Sequence, residues 1–96
     1  MRYSFEWDSN KAKTNTSKHG VSFELATEIF LDAQQLTVFD HKHSTTEDRW
    51  ITLGKSRNGT LLVVVHTFME HAGGATIRII SARQATKHEQ YQYEEN

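Results

Sequence analysis

Arg49, Arg57, Arg78 and Arg83 are four of the chain's five arginines, and all lie in its second half. Arginine presents a planar fork that fits phosphate or carboxylate oxygens and keeps its proton at any working pH. Arg78 stands between Ile77 and Ile79 in an apolar run. Strand alternation puts it opposite those two side chains and on the side of Ile80. Such an arginine must open onto a cleft or pair with a carboxylate, because burial without a partner is costly. Arg83 follows where a strand gives way to a helix. Glu47 and Arg49 sit two apart at the start of a strand, on one side of it if that strand begins early. His66 ends an apolar run, and histidine titrates near neutral pH. These residues offer anion binding beside a group able to move protons. Structural salt bridges and a hydrogen-bonded core histidine account for the same pattern, and the sequence leaves both readings open.

Other chemistries are less well supplied. His41 and His43 form a His-x-His pair able to put two metal ligands on one side of a strand. No third and fourth ligands are spaced for such a site, and no zincin helix accompanies the pair. Neither a metal nor a cofactor is expected. The chain has no cysteine, which excludes disulfides, thiolate nucleophiles and cysteine-bound zinc. Gly73-Gly74 reads as a hairpin turn rather than a phosphate loop. Tyr91 and Tyr93, two apart on a helix, cannot both face one base.

Ninety-six residues make a single domain, residues 1–96, with one core. No run of 18 apolar residues spans a membrane. The N-terminus lacks the apolar stretch of a secretory signal, so the expected compartment is a reducing cytoplasm. The net charge of −1 divides unevenly, with −3 on residues 1–48 and +2 on residues 49–96. An isoelectric point near 6.6 excludes a broad basic face. Any nucleic-acid contact must be local, through a few arginines.

The elements that position these residues follow from periodicity. Tyr3, Phe5 and Trp7 alternate with Arg2, Ser4 and Glu6, a strand signal. Asp8 can cap a helix from Ser9 to about His19, with Lys18 and His19 in its last turn and Gly20 as its stop. Its apolar face is thin, so it depends on tertiary docking. Ser22 can cap a second helix whose Phe23, Ala26, Ile29 and Phe30 recur at helical spacing to about Asp32. From Leu36 the period becomes two. Leu36–Phe39, Arg49–Lys55, Leu61–Val65 and Thr76–Ile80 read as a four-stranded antiparallel meander. Asn58-Gly59 predicts a type I′ hairpin. The continuous apolar run at Leu61–Val65 predicts a central strand covered on both faces. Ser81 and Gln84 form a capping box for a last helix to about Glu94. The predicted fold class is α+β: an N-terminal strand, two helices, the meander and a C-terminal helix.

Read in order, several of these segments resemble one family. Phe5-Glu6-Trp7-Asp8, Lys11, Asn15 and Lys18-His19-Gly20-Val21-Ser22-Phe23 look like the N-terminal signature of BrnT-type toxins. The resemblance continues through Glu47-x-Arg49, Gly54, Val63-Val64-Val65-His66-Thr67 and Ile77-Arg78-Ile79-Ile80-Ser81-Ala82-Arg83, and closes with Ala85, Glu89 and Tyr93. It covers nearly the whole chain. The last helix departs from the family's arginine-rich pattern, and the turn Glu70–Gly74 is longer than that pattern has.

The resemblance implies a RelE-like ribonuclease fold and a type II toxin–antitoxin system. It implies a metal-independent endoribonuclease that restrains translation by cleaving RNA. A BrnA-type antitoxin with a DNA-binding domain would neutralise the toxin by direct contact in a hetero-oligomer, and DNA would be met only through that partner. Such cleavage needs a base for the 2′-hydroxyl, an acid for the leaving 5′-oxygen and cations for the phosphorane charge. The implied catalytic set is Glu47, Arg49, His66, Arg78 and Arg83. The implied RNA contacts are Lys18, His19 and Lys87. A second reading keeps the scaffold and drops the chemistry: a toxin-like binding module that pairs with a DNA-binding partner and co-regulates its promoter.

Overall fold

A computed structural model describes residues 2–95. In chain order the elements are β1 (Arg2–Glu6), α1 (Ser9–His19), α2 (Phe23–Thr27) continued by a 3-10 turn (Glu28–Leu31), β2 (Leu36–Phe39), β3 (Trp50–Lys55), β4 (Leu61–His66), β5 (Met69–His71), β6 (Gly74–Gln84) and α3 (Lys87–Glu95). The α+β class holds, but the sheet is larger and more mixed than a four-stranded meander. Among the described residues six strands join in the order β1-β6-β4-β3-β2, with β5 on β6. β1 runs parallel to β6 and the other pairs are antiparallel. β4 lies in the middle, and its Leu61 to Val64 are buried. No described helix is long and apolar enough to cross a membrane.

The eleven residues of β6 serve three partners, β5 taking Gly74 to Thr76 on the edge away from β1. Gly74 to Arg78 pair with β1, and the stretch from Ile79 to Gln84 pairs with β4. The register passes from Val65–Ser81 to His66–Ile79, so Ile80 is an extra residue on β6. Such a bulge re-aims the side chains on either side of it. Gly74 is required where β1 docks: a Cβ there would lie 1.9 Å from the carbonyl oxygen of Arg2.

α1 forms as its caps predict. The Asp8 carboxylate accepts from the Lys11 N–H, and Gly20 ends the helix with φ 70°. Its buried residue is polar. The Asn15 amide donates to the carbonyls of Val21 (3.0 Å) and Ala82 (2.8 Å) and accepts from the Ala82 N–H (3.1 Å). One side chain thus satisfies the β6 edge where β1 has ended, and docks the helix on the sheet.

Two apolar clusters cover the two faces of the sheet. On the helical face, Val21, Phe23, Ala26, Ile29 and Phe30 pack on Leu62, Val64, Ile77, Ile79 and Ala82. On the opposite face, Leu53, Leu61 and Val63 meet Ala85 and Tyr93.

Two local expectations need correction. Gly59 has φ 85°, but Asn58 does not have positive φ, so the hairpin is not type I′. The Gly59 N–H instead donates to the Ser56 carbonyl, and the Ser56 N–H to that of Thr60, a longer turn with one left-handed glycine. Ser81 caps no helix, because β6 runs on to Gln84. The capping box lies further along: the Thr86 N–H donates to Glu89 and the Glu89 N–H to the Thr86 hydroxyl.

Candidate active site

Side-chain parity divides the expected site residues between the two faces. Ile77 and Ile79 point into the helical cluster, so Arg78 points to the opposite face, which we call the arginine face. Met69 and Ser4 both pair with Thr76, and Glu6 pairs with Arg78, so these residues share the arginine face. Ile51, Val65, Ser81 and Arg83 lie on it as well.

Glu47 stands at the centre of a small charge cluster there. Its Oε2 accepts a short hydrogen bond from Arg78 Nη2 and lies 3.4 Å from Arg49 Nε. The Arg78 hydrogen bond, reinforced by the charges of both arginines, holds the Glu47 carboxyl below the usual carboxylate range. All three side chains stay 30–41% exposed, so the cluster is open to a ligand. Arg49 Nε is shielded from water and is the one such side-chain atom among the described residues without a hydrogen bond. That Nε faces the Glu47 carboxylate, so Arg49 and Glu47 are held by charge at 3.4 Å rather than by a well-aligned hydrogen bond.

Arg83 belongs to a second ion pair. Its Nη1 and Nη2 donate to the two oxygens of Glu89, each at 2.8 Å. This fork, with the Thr86 N–H, pulls the Glu89 carboxyl down to about 2, and Glu89 raises the Arg83 guanidinium in turn. Five residues of strand put Arg83 about 15 Å from Arg78. The structure therefore forms two paired arginine centres on one face rather than a single cluster.

His66 does not join them. It is 2% exposed on the helical face, with its ring against Phe30 at 4.9 Å. Its Nδ1 lies 3.0 Å from the Thr67 carbonyl, which fixes the proton there and leaves Nε2 to accept from Thr52 Oγ1 at 2.7 Å. Thr52 in turn accepts from Thr37 at 2.8 Å. Burial pushes the imidazole down, against the pull of the Thr67 carbonyl. The satisfied core histidine is the reading the structure supports, because the parity of β4 turns His66 away from the arginines. It borders a cavity of about 380 Å³ lined by Tyr3, Phe30, Trp50 and Phe68.

Lys18 and His19 are exposed at the end of α1 and border a depression of about 300 Å³ that reaches Ser81, on the rim of the arginine face. Lys87 is exposed at the start of α3. His43 Nδ1 pairs with Asp40 at 3.0 Å, and His41 packs edge-on against Phe39. No group of three metal-ligating side chains converges among the described residues. Sequence reasoning missed the neighbours of Arg78, namely Glu6 and Met69, because only the β1–β6 and β5–β6 pairings bring them there.

A mixed sheet with α1 and α2 on one face, and α3 and the paired arginines on the other, defines a small α+β protein. Residues 7–89 match the family model described as the ribonuclease toxin BrnT of type II toxin–antitoxin systems, and the chain belongs to that family. It is similar to the ribonuclease toxin BrnT of Brucella abortus, whose crystal structure was determined at 1.1 Å resolution. The TM-score is 0.60 at 26% identity, over 90% of this chain and 99% of that one. No curated relative matches the chain.

Proposed function

We propose that this toxin is an endoribonuclease that cleaves RNA without a metal ion and thereby inhibits translation in the cytoplasm. The observation that carries this reading is the Glu47 carboxylate held between Arg49 and Arg78 on an open face. A scissile phosphate replaces Glu47 as the partner of the two guanidinium groups. Glu47, released but still ionised, takes the 2′-hydroxyl proton as its oxygen attacks phosphorus. Arg49 and Arg78 hold the phosphorane charge. The 5′-oxygen leaves and takes a proton from solvent, giving a 2′,3′-cyclic phosphate and a 5′-hydroxyl. His66 has no part in these transfers. Arg83, Lys18, His19 and Lys87 bind neighbouring RNA phosphates. A BrnA-type antitoxin with a DNA-binding domain covers this face, and DNA is met through that partner alone.

A non-catalytic binding module is the competing reading, favoured by one observation: both Arg78 and Arg83 already have carboxylate partners. Induced expression without the antitoxin separates the two. Growth arrest with RNA loss, and cleavage by purified protein in excess chelator, support the nuclease. Unimpaired growth with intact RNA supports the module.

A further inference from the structure

Beside Arg78 the arginine face sinks into a cavity of about 220 Å³. Its floor is Thr76 and Arg78 on β6. Glu6 from β1 forms one wall, and the other is Met69 together with Phe68, which sits at the sheet edge and borders both this cavity and the one beside His66. Asp48 closes the rim next to Glu47. Phe68 is 38% exposed and Met69 70%, so two neighbouring large apolar side chains stand open beside the ion-paired site.

The charge of this cavity decides what can enter it. Its one cation, Arg78, is taken by Glu47. The other two charged residues, Glu6 and Asp48, are carboxylates with no ion-pair partner among the described residues. A phosphate is repelled here and belongs next door, on Arg49 and Arg78. A nucleobase is uncharged, and its flat faces stack on aromatic and thioether surface. Its edge must then satisfy a carboxylate. Adenine and cytosine offer their amino donor beside a ring-nitrogen acceptor, and uracil offers one N–H between two carbonyls. Guanine alone presents two adjacent donors, N1–H and N2–H, matching the two oxygens of one carboxylate.

We propose that this cavity is a guanine-selective subsite, in which Phe68 and Met69 stack the base and Glu6 reads its N1–H and N2–H. Glu6 is placed for this at the end of a strand, in register with Arg78. A guanosine 3′-phosphate then sets its base in the cavity and its phosphate on Arg49 and Arg78. The inference rests on the nuclease reading for its biological substrate, RNA, but the binding itself does not depend on cleavage.

Titration of 3′-GMP, 3′-AMP, 3′-CMP and 3′-UMP into the protein, followed by the Met69 methyl resonance, tests it directly. 3′-GMP should shift that resonance and bind about tenfold or more tightly than the other three, the discrimination of one good bidentate pair. Glu6→Gln, which turns one acceptor into a donor, should remove the preference. Phe68→Ala should weaken all four nucleotides by about tenfold, the share of a lost stacking surface. Equal binding of the four nucleotides, or an unmoved Met69 resonance, overturns the subsite. Cleavage mapping on unstructured RNA separates the two ideas. Cuts that ignore guanine, with no 3′-GMP selectivity, leave the nuclease standing and sink the subsite. Selective 3′-GMP binding without any cleavage leaves the subsite standing and sinks the nuclease.

Discussion

At the scale of single residues, Arg78 and Glu47 carry the functional argument, and each makes a distinct forecast. Arg78→Ala removes a half-exposed ion pair, so it should leave the stability of the fold nearly unchanged. It also removes a transition-state contact, so cleavage should fall by on the order of a hundredfold. Arg78→Lys should restore only part of the rate, for want of the bidentate fork. Melting temperature and single-turnover rate on the same variants decide: activity lost only in step with unfolding makes Arg78 a structural residue. Glu47 sets the pH dependence. Its carboxyl lies below the ordinary range through the Arg78 hydrogen bond, so in the free protein it is ionised at neutral pH. The cleavage rate at limiting RNA, which reports the groups of the free protein, should therefore show no decline in the histidine range. A decline centred near pH 6.5 means a histidine base. The residue types for this chemistry were visible in the sequence, because arginines inside apolar strands are conspicuous. The side of the sheet was not visible for His66. Its parity depends on which residue of β4 pairs with which of β3 and β6, and a string of five apolar residues carries no alternation to read.

At the scale of elements, α3 is the piece most dependent on single contacts. It has no buried residue, and a nine-residue helix is not stable alone. Glu89 holds its start through Arg83 and Thr86. Tyr93 holds its end, with its hydroxyl 2.6 Å from Asp32. Burial and the Asp32 carboxylate push that phenol up to about 12. Glu89→Gln should cost about 1–2 kcal/mol after allowance for the solvent that screens Arg83. The sign in acid follows from the carboxyl at about 2 against an ordinary 4.5. The contribution is complete above 4.5 and disappears as pH falls toward 2, because the unfolded chain takes the proton first. Hydrogen exchange should show the α3 amides opening first, and a variant with the parent's acid titration would refute the assignment. β1 makes the complementary case. A Cβ on Gly74 would lie 1.9 Å from the Arg2 carbonyl oxygen. Gly74→Ala should thus detach or displace β1 at a cost of about 2–4 kcal/mol, read by chemical denaturation. The caps of α1 and α2 were legible because a cap is a local pattern. The start of α3 was misread because Ser81–Gln84 has the letters of a capping box within the longer β6, and sheet pairing overrides local propensity.

At the scale of the whole molecule, what the sequence concealed was the doubling of β6. An antiparallel neighbour announces itself through a short turn, whereas the parallel β1–β6 pair joins residues about 70 positions apart with no turn between them. That pairing sets Glu6 beside Arg78 and gives the arginine face its character: cationic at Arg49, Arg78 and Arg83, anionic at Glu6 and Asp48. A type II toxin has an antitoxin, and the face argues for how it is met. The half of the chain richest in arginine suggests an acidic partner, but Glu47 and Glu89 already neutralise much of that charge, and the chain carries −1 overall. An antitoxin covering this face should place a carboxylate against Arg78 and a cation against Glu6 and Asp48. Long-range steering is then weak, since the opposing patches cancel beyond a Debye length of about 8 Å at physiological salt. The association rate should consequently fall, but by less than about tenfold, between low and high salt. Arg78→Glu should slow dissociation in no case and should speed it by an order of magnitude or more, the usual consequence of a like-charge contact at an interface. Stopped-flow association across a salt series, with dissociation measured on Arg78→Glu, tests both halves. A salt-insensitive association rate together with unchanged dissociation would place the antitoxin on the helical face instead, over Tyr3, Trp50 and the cavity beside His66.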